Sequence, residues 1–404
     1  MQKNASSIKT SVFVNSLKNA IVLNYDLCFS DMTNLQGELS VYYPLTLKKS
    51  FDIKIIENYF QIFLSQLYLY DGDINLECSS DEFPFYKEVT EGLYAIRNYD
   101  ENLYLFPNSY NINYNYISES NCIESNDVNV INLVSGGKDS CVADYLLTIN
   151  NANVFRCFIS GLNIKSNDGE LQACHKLYKD RLDVIRLEGF ESLITFLSNI
   201  SDCYGKPPSR NFIPRGRDIL TIALVYPLAI NRNCQYISHG CEKDLWENNI
   251  FECGMNIPLH DSQSKLIIEP MNKQMSISTG IHVFSPIAGM HEIYILTWLL
   301  KNFPEKAKQL QFCFWGEGCG ECTKCIRYYL IERHNQKHLF NFRKNPADLI
   351  PDLRININKS DAEKKIRFYN ELKYLLGDDT HKDALFNPTY DRNFPTFFER
   401  WSLT

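Results

Sequence analysis

The sequence predicts an α/β protein with a doubly wound parallel sheet, a four-cysteine metal knuckle and a further α+β unit at its N-terminal end. From residue 128 onwards, β-branched runs alternate with helical patterns, which favours a parallel sheet with helices on both faces. A glycine-rich loop at 135–140 follows the first of these strands, and four cysteines lie between 313 and 325. The loop and the cysteines are the two features expected to carry chemistry.

Composition narrows the class of protein. The 404-residue chain is 45% hydrophobic and 22% charged, as expected of a globular protein with two or three domains. No segment approaches the length of a membrane span, and the N-terminus lacks the apolar stretch of a signal peptide. We therefore expect a cytoplasmic protein without a membrane partner, whose fourteen cysteines are thiols or metal ligands. The net charge of −7 argues against a nucleic-acid partner, since such surfaces carry a basic excess.

Residues 1–106 form the predicted N-terminal unit. Aromatic and β-branched runs alternate there with polar turns, and one stretch suits an amphipathic helix. We recognise no catalytic motif in this unit and predict an α+β accessory domain, with a surface on which a partner protein could dock. Residues 107–127 are rich in Asn, Tyr and Ser and form the predicted linker. The candidate strands are 11–14, 20–25 and 39–43, and the candidate helix is 51–64.

Residues 128–339 form the predicted main domain, and 340–404 a helical C-terminal extension. In the extension, 360–376 is a predicted helix with a capping box at its start, and the aromatic segment 394–401 is apolar enough to dock on the domain or on a partner. In a parallel sheet the ligand binds outside the carboxyl ends of the strands, where the loop 135–140 lies. Further strands are predicted at 128–134, 153–160, 183–187 and 235–240, and helices from 141, at 170–181, at 191–200 and at 218–230.

The glycine loop is predicted to bind phosphate. Two adjacent glycines let backbone amides approach a ligand closely, and the helix that follows directs its positive end towards it. The spacing differs from that of a Walker A loop. The plain alternative is a Gly-Gly turn that joins a strand to a helix. The predicted binding residues are Ser135, Gly136, Gly137, Lys138, Asp139 and Ser140.

The four cysteines are predicted to bind one zinc ion. Two consecutive C-x-x-C steps place sulfur atoms at the right distance for a tetrahedral ion, and neighbouring glycines allow the tight turns. An iron–sulfur cluster is the main rival, but its bacterial pattern expects the fourth cysteine downstream, before a proline. Here the fourth cysteine lies upstream, so zinc is favoured. The predicted ligands are Cys313, Cys319, Cys322 and Cys325.

The loop resembles the PP-loop of the ATP pyrophosphatase superfamily. Followed late in the chain by Gly-Cys-Gly-Glu-Cys-x-x-Cys, it resembles the 7-cyano-7-deazaguanine synthase (QueC) family over roughly residues 128–330. Segments 211–218, 240–244 and 285–293 are similar to further motifs of that family. The family's Tyr-Pro-Asp-Cys motif is missing here. Together with the unmatched N-terminal unit, this makes the QueC-like proteins of antiphage operons, such as the Qat and type IV CBASS systems, the better likeness.

The resemblance implies an enzyme that uses ATP to adenylate a 7-deazaguanine carboxylate and releases pyrophosphate. An amine would then displace AMP. This amine is ammonia in the nitrile-forming family, and the altered substrate motifs make an amine on a partner protein the alternative acceptor here. Asp139 is expected to help hold Mg²⁺, and Lys138, Arg217 and Lys243 to balance charge on the α-phosphate. For both lysines, simple surface solvation is the alternative.

Two other functions are compatible with these sequence features. A tRNA-modifying PP-loop enzyme is disfavoured by the acidic charge, and a non-catalytic nucleotide-binding scaffold would retain the loop without turnover. Three further residues have both a structural and a functional interpretation. Asp218 would be a helix cap or a ligand contact, and His239 a packed core residue or a ligand contact. Glu170 would be a remnant of the family's Tyr-Gly-Gln-x-x-His segment or a residue that interacts favourably with the helix dipole.

Overall fold

The computed structural model describes residues 6–28, 34–65, 128–162, 167–193, 195, 217–247, 263–313, 318–359, 368–392 and 394–403. It also describes the backbone of four short strands at 74–77, 110–113, 249–252 and 255–258. Most of the predicted linker, of the predicted helix 191–200 and of the motif-like segment 211–218 lies outside these residues.

One mixed sheet organises the described chain. Five strands form its parallel half, in the order β12-β9-β6-β7-β8, and the remaining strands continue it as β3-β2-β1-β4-β5. The α/β class predicted from the sequence is confirmed. The strands of this sheet are β1 Ser6–Asn15, β2 Ala20–Cys28, β3 Asn34–Tyr42, β4 Ile74–Glu77, β5 Tyr110–Asn113, β6 Asn129–Leu133, β7 Asn153–Ser160, β8 Leu182–Glu188, β9 Tyr236–Ser238 and β12 His282–Phe284; β10 Asn249–Glu252 and β11 Met255–Pro258 form a separate hairpin.

The strand order in the parallel half creates a switch point. The chain starts at β6 in the centre, builds β7 and β8 outwards on one side, and then returns to place β9 and β12 on the other side. The chain therefore leaves β6 towards β7 and leaves the neighbouring β9 towards β12, in opposite directions along the sheet. In open α/β sheets this divergence opens the crevice in which ligands bind.

Helices cover both faces of this parallel half. Successive side chains of a strand point to opposite faces. On β7, Arg156 pairs with Asp144 on one face, with Nε 2.7 Å from Oδ1. The neighbouring Phe155 ring lies beneath the guanidinium of Arg232, 5.1 Å away, on the other face. Asp144 belongs to helix α2 (Lys138–Ile149) and Arg232 follows helix α4 (Arg217–Asn231), so the two helices lie on opposite faces. The described helices are α1 Ile53–Ser65, α2 Lys138–Ile149, α3 Asn167–Tyr178, α4 Arg217–Asn231, α5 Lys243–Trp246, α6 Lys265–Thr279, α7 Glu292–Asn302, α8 Pro304–Ala307, α9 Thr323–His334, α10 Ile350–Ile357, α11 Tyr369–Leu375 and α12 Lys382–Phe386.

The N-terminal strands extend the same sheet. The candidate strands 11–14 and 20–25 lie inside β1 and β2, and the candidate 39–43 overlaps β3, which ends one residue earlier. These three strands form an antiparallel meander. β3 then pairs antiparallel with β8, with Val41 opposite Leu187. The hydroxyl of Tyr43 donates to the carbonyl oxygen of Leu224 in α4 at 2.9 Å. The segment expected to be an accessory domain therefore shares a sheet and a hydrophobic core with the main domain.

The C-terminal extension packs against the main domain. The ring centroids of Phe397 and Tyr236 are 4.9 Å apart, and those of Phe398 and Phe284 are 5.7 Å apart. The aromatic segment thus docks on β9 and β12 of its own chain. Of the predicted helix 360–376, the described part contains α11, which is followed by Gly377 in a left-handed conformation with φ of 107°. None of the helices in the described ranges is both long and apolar enough to span a bilayer.

Candidate functional site

The glycine loop lies at the switch point of the sheet. It leaves the carboxyl end of β6 and leads into α2, while the loop after the neighbouring β9 begins at His239. The two loops are in close contact, since a Cβ atom on Gly240 would lie 3.2 Å from the amide nitrogen of Ser140. Under the loop, the Ser238 hydroxyl donates to Asn132 Oδ1 at 3.0 Å, and Asn132 Nδ2 donates to the Ser140 carbonyl at 3.2 Å. Polar groups on the two central strands thus support the loop.

The conformation of the loop requires glycine at position 136. Gly136 has φ of +70°, and a Cβ atom there would lie 2.7 Å from the Cβ of Ala173 in α3. Gly137 directly precedes α2 and has no side chain with which to cap the first-turn amides. The helix N-terminus therefore keeps the amide geometry that favours anions.

The two serines of the loop have different surroundings. The Ser140 hydroxyl is used within the loop, because it donates to the Gly137 carbonyl at 3.2 Å and accepts from the Ser135 amide at 3.3 Å. Ser135 itself is exposed. Asp139, next to the buried Lys138, has a side chain that is 28% exposed. Ser135 and Asp139 are thus the two loop side chains open to solvent.

Lys138 points inwards, away from solvent. Its side chain is 3% exposed, and its ammonium group contacts the carboxylates of Glu242 and Asp139, the latter at 2.5 Å. Glu292 Oε1 lies 3.3 Å away. Burial alone would lower the pKa of Lys138, but the three carboxylates raise it well above its ordinary value. The solvated-surface alternative for Lys138 is therefore wrong, and its charge is taken up inside the protein.

A second buried cation completes this network. Arg327 of α9 contacts Glu292 through Nε and lies over the ring of Phe368, with Cζ 3.8 Å from its centroid. Burial would raise the pKa of Glu292, yet Arg327 and Lys138 lower it to about 2. The pKa of Glu242 is instead raised by burial and by Asp139. Glu292 is consequently the carboxylate that is most firmly ionised between the two cations.

The other predicted catalytic cations lie near the surface. Lys243 begins α5, directly after the β9 loop; its side chain is 18% exposed and its Nζ is 3.9 Å from Glu247 Oε2. Arg217 is partly exposed at the start of α4. Lys243 directly follows Glu242 of the Lys138 network, but its own ammonium group faces Glu247 instead. Among the predicted cations, Lys243 and Arg217 keep the more accessible charge.

Asp218 and His239 form a buried pair. His239 Nε2 lies 3.1 Å from Asp218 Oδ1, and His239 is 5% exposed. Asp218 lies within the first turn of α4, which begins one residue earlier, so it is not the residue that precedes the helix. Glu170 lies in the first turn of α3, and its carbonyl oxygen would be 2.9 Å from a Cβ atom on Gly136. Glu170 thus contributes backbone packing beneath the loop.

The four cysteines converge on one point. Cys313 and Cys322 have sulfur atoms 4.0 Å apart, Cys319 and Cys325 3.8 Å, and Cys322 and Cys325 3.4 Å. Four ligands about 2.3 Å from a tetrahedral zinc ion would be roughly 3.8 Å apart. The four thiols therefore form a group that fits a zinc ion, as the sequence predicted.

Backbone amides and glycines shape this cysteine group. The amide of Cys319 donates to the sulfur of Cys313 at 3.2 Å, and the amide of Cys322 donates to that of Cys319 at 3.3 Å. Such donors stabilise thiolates. Gly320 has φ of +81°, and a Cβ atom there would lie 2.0 Å from the carbonyl oxygen of Lys344. The turn within the first C-x-x-C step, from Cys319 to Cys322, consequently requires glycine.

Sequence reasoning missed the partners of Lys138. Glu242, Glu292 and Arg327 are buried and charged, and they come from three separate parts of the chain. One signal was available for Glu242, which lies two residues after Gly240, the last residue of a predicted strand, at the edge where ligands are expected. Nothing in the local patterns around Glu292 or Arg327 indicates their ion pair.

No protein-family model matches this chain, and a search of curated proteins finds no sequence that is significantly similar to it.

Proposed function

We propose that this protein is a PP-loop enzyme that uses ATP to adenylate a carboxylate, with a 7-deazaguanine acid as the substrate class and ATP bound over residues 135–140. The position of the glycine loop at the switch point of a parallel sheet carries this proposal. At such a place the loop amides and the N-terminus of α2 can hold phosphate groups. The tight packing of Gly136 and Gly240 supports a loop shaped for close approach of a ligand.

The proposed chemistry is a transfer of AMP. A substrate carboxylate oxygen attacks the α-phosphorus of ATP, the bond from that phosphorus to the bridging oxygen breaks, and pyrophosphate leaves. An amine then attacks the acyl carbon, AMP leaves and the amine loses a proton. The product is an amide.

The accessible charges suggest how the roles divide. The exposed carboxylate of Asp139 is the proposed contact for Mg²⁺, which neutralises ATP phosphates when it is bound. Because Lys138 is buried among carboxylates, we assign it the task of holding the loop and the β9 connection in place. Lys243 and Arg217 keep accessible charge and are proposed to offset charge on the α-phosphate.

The cysteine group favours the QueC-like branch within this proposal. Zinc bound there would be structural, because all four tetrahedral positions would be taken by sulfur. The acceptor amine distinguishes two products. Ammonia would lead through an amide to a nitrile. An amine on a partner protein would give a stable conjugate, the product that we propose if the protein acts in antiphage defence.

The decisive test is ATP turnover by the full chain. Purified protein is incubated with ATP, Mg²⁺ and 7-carboxy-7-deazaguanine, and AMP and pyrophosphate are measured with and without the acid. We expect both products only when the acid is present. ATP binding without turnover would overturn the enzyme assignment in favour of a nucleotide-binding scaffold. Mass measurement of products with ammonia, or of a co-expressed partner, separates nitrile formation from conjugation.

A matched pair of variants locates the activity. Asp139→Asn should abolish most turnover, because the proposed metal contact loses its charge. Asp352 is an exposed residue in the first turn of α10, so Asp352→Asn removes the same charge from another helix start. It should leave turnover unchanged. Equal activity of the two variants would remove the loop from the mechanism.

A further inference from the structure

Three residues far apart in the sequence meet behind the Lys138 network. Asp244 lies in α5, His291 directly precedes α7, and Glu371 lies in α11. One nitrogen or oxygen atom from each of the three lies within 4.8 Å of the others. The group contains an imidazole as well as two carboxylates, and none of its members is exposed. It is separate from the cysteine group and from the loop side chains that face solvent.

The geometry of this group suits metal ligands. His291 Nδ1 and Asp244 Oδ1 are 2.9 Å apart. Two ligand atoms bound at right angles to one ion, each about 2.1 Å from it, would be roughly 3 Å apart. The two atoms are therefore already spaced as neighbouring ligands of a single ion.

Backbone amides orient both carboxylates. The amide of Glu292 donates to Asp244 Oδ2 at 3.2 Å, and the amide of Ile293 donates to Glu371 Oε1 at 2.9 Å. Both amides belong to the first turn of α7. Each carboxylate thus has one oxygen held by the helix, while the second oxygen of Asp244 faces His291 Nδ1. Metal sites commonly orient their ligands with such outer hydrogen bonds.

The available oxygen of Glu371 points to a ligand. Glu371 is 0% exposed, and its Oε2 has no hydrogen-bond partner among the described residues. Leaving a buried carboxylate oxygen unpaired is costly. A cation held between Glu371, Asp244 and His291 would remove that cost.

The charges of the surrounding network also call for a cation. Two buried cations, Lys138 and Arg327, face a larger set of carboxylates. If all five carboxylates were ionised and the imidazole neutral, they would exceed the two cations by three charges in a largely buried region, partly offset by the N-terminus of α7. Such crowding disfavours ionisation of these carboxyl groups, and a divalent ion would offset most of the excess charge. The carboxylates are those of Asp139, Glu242, Asp244, Glu292 and Glu371.

We propose that Asp244, His291 and Glu371 bind a divalent first-row transition-metal ion, with Mn²⁺, Fe²⁺ or Zn²⁺ as the class suited to one imidazole and two carboxylates. The ion would join α5, α7 and α11 and stabilise the wall behind Lys138. Its role is structural, and it does not depend on whether the glycine loop binds ATP.

The test counts metal ions in the full chain without nucleotide. The protein is equilibrated with Mn²⁺, unbound ion is removed, and total metal per chain is measured by mass spectrometry. Mn²⁺ prefers oxygen and nitrogen ligands, so it reports this site rather than the four thiols. We expect one Mn²⁺ or equivalent ion per chain in addition to the metal of the cysteine group. Wild-type protein that holds no ion beyond that of the cysteine group would overturn the proposal.

Two variants and one control assign the ion. Glu371→Gln and His291→Gln should each weaken binding roughly tenfold or more while the cysteine-bound zinc stays at its wild-type level, which shows that the fold is kept. Glu332 is a second buried glutamate that accepts from backbone amides, those of Leu339 and Phe340. Glu332→Gln should keep the ion. Unchanged Mn²⁺ affinity in both site variants would overturn the assignment.

Discussion

The backbone amide of Gln311 donates a hydrogen bond to the carbonyl oxygen of Gly136, with nitrogen and oxygen 2.9 Å apart. The side-chain amide of the same glutamine donates to the carbonyl oxygen of Cys313 at 2.8 Å. One residue therefore joins the glycine loop to the first predicted zinc ligand. The two motifs, far apart in the sequence, form one continuous piece of structure.

Disruption of the cysteine group should weaken the proposed binding of ATP through this link. Cys322→Ser removes one ligand, and the loosened segment around Gln311 should no longer hold Gly136 in place. We expect ATP affinity to fall about tenfold, which corresponds to roughly 1.4 kcal/mol, measured by calorimetric titration. Cys234 is buried and lies away from the cysteine group, so Cys234→Ser is the control. An unchanged affinity in Cys322→Ser would contradict the coupling.

The two loop glycines should tolerate alanine very differently. Gly136→Ala introduces a side chain at φ of +70° and 2.7 Å from Ala173 Cβ, so we expect a loss of about 1–3 kcal/mol in the free energy of unfolding. Gly137 has φ of −89° and its nearest neighbour would be 3.5 Å away. Gly137→Ala should cost about 1 kcal/mol or less. Urea denaturation of both variants checks this; equal losses would count against the loop conformation.

Lys138 should contribute to stability as well as to the site. Lys138→Met leaves Glu242 and Glu292 with an uncompensated buried charge, and removal of one partner from such a pair typically costs about 3–5 kcal/mol. The double variant Lys138→Met with Glu242→Gln should recover part of this loss. Lys243→Met is the control, since its partner carboxylate is 3.9 Å away and half exposed, and it should change stability by about 1 kcal/mol or less.

The outcome of the Lys138 experiment is read by urea denaturation. A loss in Lys138→Met no larger than in Lys243→Met would mean that the buried network does not depend on its lysine. Failure of the double variant to recover stability would indicate that packing of the side chain, rather than its charge, dominates.

Glu292 should make stability depend on acid pH. Its pKa is about 2 in the folded protein, against an ordinary 4.5. A carboxyl group whose pKa is lowered by folding stabilises the protein above its unfolded pKa, and this contribution is lost as pH falls through the folded value. A difference of about 2.5 in pKa corresponds to roughly 3 kcal/mol as an upper limit. The gap in stability between wild type and Glu292→Gln should therefore narrow between about pH 4.5 and about pH 2.

Glu332 supplies a control with the opposite sign. Burial raises its pKa, although the amides of Leu339 and Phe340 oppose that effect. A carboxyl group whose pKa is raised by folding destabilises the folded protein as the pH rises above the pKa of that group in the unfolded chain. The difference between wild type and Glu332→Gln should thus shift in favour of wild type as pH falls. The stability differences of Glu292→Gln and Glu332→Gln from wild type are measured by urea denaturation as a function of pH. If both differences changed with pH in the same direction, the opposite pKa shifts assigned to Glu292 and Glu332 would be contradicted.

Local patterns in the sequence were enough for the α/β class, the strands that carry it and the cysteine group. Alternating β and α runs are short-range signals, and they placed β6, β7 and β8 because buried parallel strands need continuous apolar residues. Likewise, two C-x-x-C steps with glycines constrain the thiols to one point. The spacing alone therefore predicted Cys313 to Cys325 as a group.

Tertiary structure decided where the charges go. The sequence by itself shows Lys138 beside Asp139 in a polar loop, which looks accessible. Only the packing of α7 and α9 behind the loop brings Glu292 and Arg327 close to Lys138. There the ammonium group of Lys138 points inwards, towards Glu292. Pairings of this kind depend on contacts between residues far apart in the chain, and no local period encodes them. For the same reason, the joining of β3 to β8 and the meeting of Asp244, His291 and Glu371 appear only in the folded chain.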